Sequence, residues 1–177
     1  MKKGQLMSQP FFYIFAIVVI GLILVFGFNY INKLLKTSCD VEGLGFQTEI
    51  QSKVNELNSL SAGSSFECTL SRYKNSGGRC DLTLPDNVNG ICFIDTTKSY
   101  TLSDIKFNDV KDYFTKFGAA GVRNLNKNLF FSGNKNADCG GEPVKINKLT
   151  TEGAVCANLS THFILENQGD IVIVKKA

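Results

Sequence analysis

The stretch that decides the architecture is FFYIFAIVVIGLILVFGF, residues 11 to 28, which contains no charged side chain. Lys2 and Lys3 precede it, and Lys33 and Lys36 follow it. As a helix with about 1.5 Å of rise per residue it would extend roughly 27 Å, close to the ~30 Å thickness of the hydrocarbon layer of a bilayer. A helix in a soluble core normally has one polar face, whereas apolar residues occur here all around the axis. The sequence therefore predicts a transmembrane helix whose partner is the lipid bilayer.

Length and charge limit what the rest of the chain can be. Residues 1 to 36 hold the basic leader and the predicted transmembrane helix, and residues 37 to 177 remain for one further domain with its own core. The chain has 19 basic and 16 acidic side chains, a formal charge of +3, and its basic residues form no long block. This distribution argues against a nucleic acid partner.

The cysteines indicate the compartment and therefore the orientation. An even number confined to one side of the helix predicts disulfides formed in an oxidising space. The sequence contains no Cys-x-x-Cys pair of the kind that zinc sites commonly use, so we predict no metal site. The flanking lysines do not decide the orientation, because two stand on each side. We therefore predict a single-pass protein with a cytoplasmic N-terminus and an extracytoplasmic C-terminal domain that carries all six cysteines: Cys39, Cys68, Cys80, Cys92, Cys139 and Cys156.

The residues before the apolar stretch carry a resemblance. The stretch is not followed by the small-residue cleavage site of a secretory signal peptide, so the helix is expected to remain attached. With Lys2, Lys3, Gly4 and Gln5 ahead of a hydrophobic helix, the N-terminus resembles that of archaeal type IV prepilin-like proteins over about 30 residues. The resemblance implies processing at Lys3, Gly4 and Gln5 by a prepilin-type peptidase, which would cut between Gly4 and Gln5. It also implies self-association, because the retained helices of pilins pack together in the core of a filament.

Helical periodicity appears twice after the apolar stretch. Residues 37 to 46 include Gly43 and Gly45 and are expected to interrupt the first helix, with a new helix beginning near Thr48 at the spacing of a capping box. The apolar positions of that helix, and of a second one that should end at Gly118, recur at intervals of three and four residues and predict two amphipathic helices. These positions are Ile50, Val54, Leu57 and Leu60 in the first, and Phe107, Val110, Phe114 and Phe117 in the second.

The remaining patterns predict strands. Alternation with a period of two around Cys68 and Cys80, separated by turn residues, indicates a hairpin, and residues 91–94 and 129–131 indicate buried strands. A second hairpin is predicted from residues 163–165 and 171–174, which flank a Gly-containing turn. The predicted fold class is α+β, with a single N-terminal transmembrane helix followed by a disulfide-stapled, mostly antiparallel sheet of about six strands and two amphipathic helices.

The predicted hairpins suggest a pairing of the cysteines without excluding others. Folding the first hairpin would bring Cys68 opposite Cys80. Cys139 and Cys156 flank a short segment and can staple it, which would leave Cys39 for Cys92. Six cysteines allow fifteen pairings, so the alternatives stay open.

Few residues suggest chemistry. Residues 134 to 142 carry oxygen-bearing side chains like a calcium loop, but the positions where that loop requires glycine and a final acid hold other residues, so a polar loop is favoured. The single histidine, His162, lacks identifiable partners for catalysis and is interpreted as structural. We predict no enzyme, no catalytic residue and no cofactor. Asn158-Leu159-Ser160 matches an acceptor site for N-glycosylation at Asn158 on an extracytoplasmic surface.

Two functions from different classes fit the sequence. The first is a pilin-like structural subunit or pilus-associated surface protein, which the Lys-Gly-Gln junction favours. The second is a monomeric membrane-anchored surface module that binds a ligand or partner and does not polymerise. Many pilins carry Glu at the fifth position after the cleavage, and this chain would have Gln9 there, which favours the second.

Overall fold

The structure is a computed structural model that describes residues 9–73, 78–86, 88–98, 100–124, 126–133 and 143–177. The chain divides into two compact units, Met1–Ser38 and Cys39–Ala177. The first helix, α1 (Gln9–Asn58), contributes residues to both units. The second unit is called the head here.

The described part of the head contains a second helix, a short 3₁₀ helix and eight strands arranged in two sheets. The elements are β1 (Ser65–Ser71), β2 (Cys80–Thr83), β3 (Val88–Ile94), the 3₁₀ helix (Leu102–Asp104), α2 (Asn108–Asn124), β4 (Leu129–Gly133), β5 (Leu149–Thr151), β6 (Ala154–Asn158), β7 (Phe163–Asn167) and β8 (Val172–Lys176). The five-stranded sheet has the order β2-β1-β7-β8-β5, and the three-stranded sheet has the order β4-β3-β6. The α+β class is confirmed, and four of the six pairings between described strands are antiparallel, as a mostly antiparallel head requires. The prediction of about six strands in one sheet is wrong, because the eight described strands form two sheets.

The first helix continues where the sequence predicts a break. Gly43 and Gly45 lie inside α1, although each glycine costs up to about 1 kcal/mol relative to alanine in a helix. The hydroxyl of Thr48 donates a hydrogen bond to the Leu44 carbonyl one turn earlier, at 2.9 Å, so Thr48 does not cap a new helix. The predicted restart is therefore wrong. Helix propagation adds one hydrogen bond per residue and tolerates two glycines when the next turns are packed.

That packing is provided by the face of α1 that the sequence predicts. Ile50, Val54 and Leu57 are fully buried, and Phe46 extends the same face toward the N-terminus. The ring of Phe46 meets that of Phe131 edge to face at 5.7 Å between centroids. Leu60, the last position of the predicted face, lies beyond the end of α1 and is 40% exposed, so its assignment to the buried face is wrong.

Strand β3 is buried on both sides, which explains its unbroken apolar run. Ile91 and Phe93 belong to the main core between the two sheets, and the ring of Phe93 contacts that of Phe163 at 5.1 Å. Cys92 and Ile94 point to the opposite side and belong to a second core with α2. The three-stranded sheet therefore has a hydrophobic core on each face.

The first predicted hairpin is wrong, because β1 and β2 pair in parallel. Their register places Cys68 opposite Cys80 and Leu70 opposite Leu82, so the buried faces agree with the sequence pattern. Alternation with a period of two reads the same in both directions along a strand and therefore cannot distinguish parallel from antiparallel pairing. The second predicted hairpin is confirmed by the antiparallel pairing of β7 and β8.

The second predicted amphipathic helix is confirmed as α2. At Gly118, where the helix was predicted to stop, the backbone leaves the helical conformation. Gly118 has φ 65° and ψ 165°, a conformation outside the helical region that favours glycine, and helical residues resume after it. Val110 and Phe114 are buried against the three-stranded sheet. Phe117 is 46% exposed, so the predicted apolar face is buried over only part of its length.

Candidate functional site: an apolar helix and a disulfide-bonded head

The N-terminal part of α1 presents an apolar surface that no other described residue covers. Phe12–Ile31 is a stretch of 20 residues that is long and apolar enough to cross a membrane, and none of it is buried. Its large side chains are exposed around the whole axis, from Phe12 at 71% to Phe28 at 72%. Exposed apolar surface costs about 25 cal/mol for each Å² left in water. This part of the helix therefore requires an apolar environment, such as lipid or other apolar helices.

The residues predicted to be processed, Lys3, Gly4 and Gln5, lie outside the described residues. Processing and self-association therefore stay predictions. Gln9, which would stand at the fifth position after cleavage, is the first residue of α1. The orientation of the helix across a membrane also stays a prediction.

Two disulfides lie inside the head. Cys68–Cys80 joins the neighbouring strands β1 and β2, as predicted, with both residues fully buried. Cys92–Cys156 joins β3 and β6, where the two residues are directly opposite in the register. The predicted pairs Cys39–Cys92 and Cys139–Cys156 are therefore wrong. No strand was predicted over β6, where two of the four consecutive buried residues are alanines, and so the sequence could not place Cys156 beside Cys92.

Cys139 lies outside the described residues, and nothing is described of the side chain of Cys39. The expected calcium-like loop, residues 134 to 142, lies outside the described residues as well. Within the described residues, no group of three or more metal-ligating side chains comes together. The sequence-based preference for a polar loop over a calcium site stays a prediction.

The predicted glycosylation site lies in a turn at the end of β6. The side-chain oxygen of Asn158 accepts hydrogen bonds from the backbone N–H of Ser160 at 3.0 Å and from its hydroxyl at 2.9 Å. The hydroxyl of Thr161 donates to the same oxygen at 3.2 Å, while it accepts from the Asn158 N–H at 2.7 Å. These bonds organise the chain reversal between β6 and β7. Modification of Asn158 stays a prediction.

His162 lies next to the start of β7 and has a carboxylate neighbour. Its Nδ1 is 3.0 Å from Oε1 of Glu67, and both side chains are more than half exposed. An exposed pair of this kind contributes little to stability. Within the described residues, no serine or cysteine shares this contact with His162.

The chain matches no protein-family model, no curated protein and no solved structure.

Proposed function

We propose that this protein is a type IV pilin-like subunit or pilus-associated surface protein, anchored in the membrane by α1 with its head outside the cytoplasm. The observation that carries the proposal is the fully exposed apolar stretch Phe12–Ile31, together with the basic leader that precedes it in the sequence. Cutting the chain before this stretch leaves it attached to the head, where it can insert in lipid and pack against further copies.

The orientation in this proposal rests on the redox state of the head. Disulfides persist in oxidising compartments and are rare in the cytoplasm. The pairs Cys68–Cys80 and Cys92–Cys156 both lie in the second unit. An extracytoplasmic head accounts for both of them. A membrane protease-protection measurement checks this step, because protease added outside the cell should remove the head and leave a protected N-terminal fragment.

Processing is tested by mass spectrometry of the N-terminal peptide of the native protein. We expect the chain to begin at Gln5, because Lys2 and Lys3 hold the leader at the cytoplasmic face while the helix stays in the bilayer. The variant Gly4→Leu should remain uncut, since a side chain at this position keeps the backbone from lying close to the peptidase. Gly27→Leu is the matched control, because a Cβ at Gly27 meets no atom within 4 Å. A native chain that still begins at Met1, in cells with an active prepilin-type peptidase, contradicts the proposal.

The second candidate function is a monomeric, membrane-anchored binding module, which Gln9 in place of the usual Glu favours. Electron microscopy of the native cell surface separates the two. Filaments labelled by antibodies against the head support the pilin-like subunit. A processed protein that is monomeric in detergent and labels the membrane without filaments supports the binding module.

A further inference from the structure

A small cavity in the head is lined by lysines from two separate loops. The cavity has a volume of about 170 Å³ and lies beside the end of β3 and the start of β5. Lys127, Lys145 and Lys148 line it, together with Asp95 and the hydroxyl-bearing residues Thr97 and Thr150. Its size suits a single small group, since cavities for drug-sized ligands are several hundred Å³.

The walls of this cavity are held by hydrogen bonds to the backbone. The amide nitrogen of Asn128 donates to the carbonyls of Ile146 and Leu149, both at 2.8 Å, and its amide oxygen accepts from the Ile146 N–H at 2.7 Å. On the other side of the loop, Gln51 of α1 accepts from the Asn147 N–H at 2.7 Å and donates to the Asn147 carbonyl at 3.3 Å. The segment that carries Lys145 and Lys148 is therefore fixed at both of its faces.

The backbone of the cavity is unusual as well. Among the described residues, two residues other than glycine have a positive φ, Asn126 (φ 49°) and Lys148 (φ 60°). Both of them line this cavity. A non-glycine residue in this region costs of order 1 kcal/mol or more, and such residues concentrate at binding sites. A hydrogen bond to β8 holds Lys148 in this conformation, because the Lys148 carbonyl accepts from the Val172 N–H at 2.8 Å.

The charge of the cavity is positive once its own contacts are counted. The carboxylate of Asp95 accepts hydrogen bonds from the hydroxyls of Thr150 and Thr97 and from the Thr97 N–H, and Lys98 lies 4.0 Å away. Burial opposes its ionisation, but these hydrogen bonds and Lys98 together lower the pKa of Asp95. Asp95 is thus a charged and satisfied part of the wall.

The lysines have weaker partners. The ammonium of Lys145 donates to the side-chain oxygen of Asn126 at 2.7 Å, a neutral acceptor. Among the ion pairs within the described residues, neither Lys127 nor Lys145 takes part. Both lysines line the cavity, so an anion bound there would not have to displace a carboxylate from either of them.

We propose that this cavity binds one phosphate group. Lysine is a compact point charge with three donors and commonly binds phosphate, and two such charges favour an anion that carries more than one negative charge. The group can come from free phosphate or from a phosphate ester, such as a lipid headgroup or a phosphorylated surface polymer. The proposal does not depend on polymerisation or on processing of the N-terminus.

The test is calorimetric titration of the full chain in neutral detergent micelles with inorganic phosphate, glycerol 3-phosphate and acetate. We expect saturable binding of phosphate with a Kd of about 1 mM and weaker binding of acetate. The double variant Lys127→Gln/Lys145→Gln should weaken phosphate binding by about tenfold or more. The matched control Lys53→Gln/Lys175→Gln removes two lysines elsewhere on the head that pair with glutamates, and binding should stay within about twofold.

The titration has clear outcomes against the proposal. Absence of saturable heat up to about 50 mM phosphate overturns it, because that limit lies well above the expected Kd. Equal loss in both double variants also overturns it, since the binding would then follow net charge alone. Acetate binding as tightly as phosphate excludes the tetrahedral oxyanion. Glycerol 3-phosphate binding more tightly than phosphate identifies an ester as the source, and the reverse identifies the free ion. Circular dichroism confirms that each variant is folded.

Discussion

The two ends of α1 bury apolar surface in different ways. Toward the C-terminus, Phe46, Ile50, Val54 and Leu57 form one apolar face that packs into the head. Toward the N-terminus, Phe12–Ile31 is apolar on every side and exposed on every side. A one-sided pattern indicates a helix with a sheet as its partner, whereas an all-round pattern indicates a helix that needs an apolar surrounding. The same helix therefore combines a segment that belongs to the core of the head with a segment that is apolar enough to cross a membrane.

The largest effect should come from placing charges in the N-terminal part. Ile20→Asp/Leu24→Asp adds two carboxylates near the centre of the apolar stretch, where each costs about 3 kcal/mol for insertion and the lost apolar side chains add to this. We expect most of the protein to leave the membrane fraction after carbonate extraction. The control is Val41→Asp/Leu44→Asp, at two exposed apolar positions of α1 in the head. Equal release of both variants would contradict the distinction.

The second effect concerns the two disulfides that stabilise the head. Removing Cys92–Cys156, whose cysteines are 64 residues apart, should lower the free energy of unfolding by about 4 kcal/mol in the loop-entropy description. Removing Cys68–Cys80, with a separation of 12, should lower it by about 3 kcal/mol. Urea denaturation, followed by the circular dichroism of the strands in the head, compares the two losses of unfolding free energy in the Cys92→Ala/Cys156→Ala and Cys68→Ala/Cys80→Ala variants. The opposite order would show that native packing outweighs the entropy of the unfolded chain.

The third effect tests the one-sided face directly. Ile50→Ala removes a fully buried side chain and should destabilise the head by about 3 kcal/mol, while Val41→Ala at a 62% exposed position should change stability by less than about 0.5 kcal/mol. Both variants are measured by the same urea denaturation. Similar losses would mean that Val41 is covered in the protein as isolated, which would point to contacts between copies.

The smallest effect is a dependence on pH. Hydrogen bonds to Asp95 outweigh its burial and lower its pKa below the ordinary 3.8, so the carboxylate stabilises the head above that value and loses this contribution as the pH falls through the folded-state pKa. Asp95→Asn should lower stability at pH 7 by about 1 kcal/mol and flatten the decline of stability with acid below about pH 4. Unfolding measured between pH 2.5 and pH 7 in about half-unit steps would show both changes. An unchanged acid slope would contradict this role.

Sequence patterns identify those elements whose burial follows one period. For this reason the sequence predicted the face of α1 around Ile50 and both strands of the C-terminal hairpin. It predicted the stop at Gly118 from glycine itself, which commonly ends helices. Whether β1 and β2 pair in parallel or antiparallel could not be predicted, since the alternation around Cys68 and Cys80 is the same in either direction. The continuity of α1 through Gly43 and Gly45 could not be predicted, because it depends on the packing of residues further along the helix. The cavity lined by Lys127, Lys145 and Lys148 joins separate loops, and its backbone geometry at Lys148 leaves no mark in the sequence.

The order of strands in the larger sheet has a consequence for how the protein is made. β7 and β8 fill the middle of that sheet, between β1 and β5, yet they follow all the other strands along the chain. Strand β1 cannot find its antiparallel neighbour until almost 100 further residues have been synthesised. The larger sheet therefore lacks β7 and β8 until the end of the chain has been synthesised. Sheet formation of this kind is slow, because distant segments must meet before their contacts stabilise them. A premature stop before β7 would leave β1 and β5 without the strands that join them in the sheet.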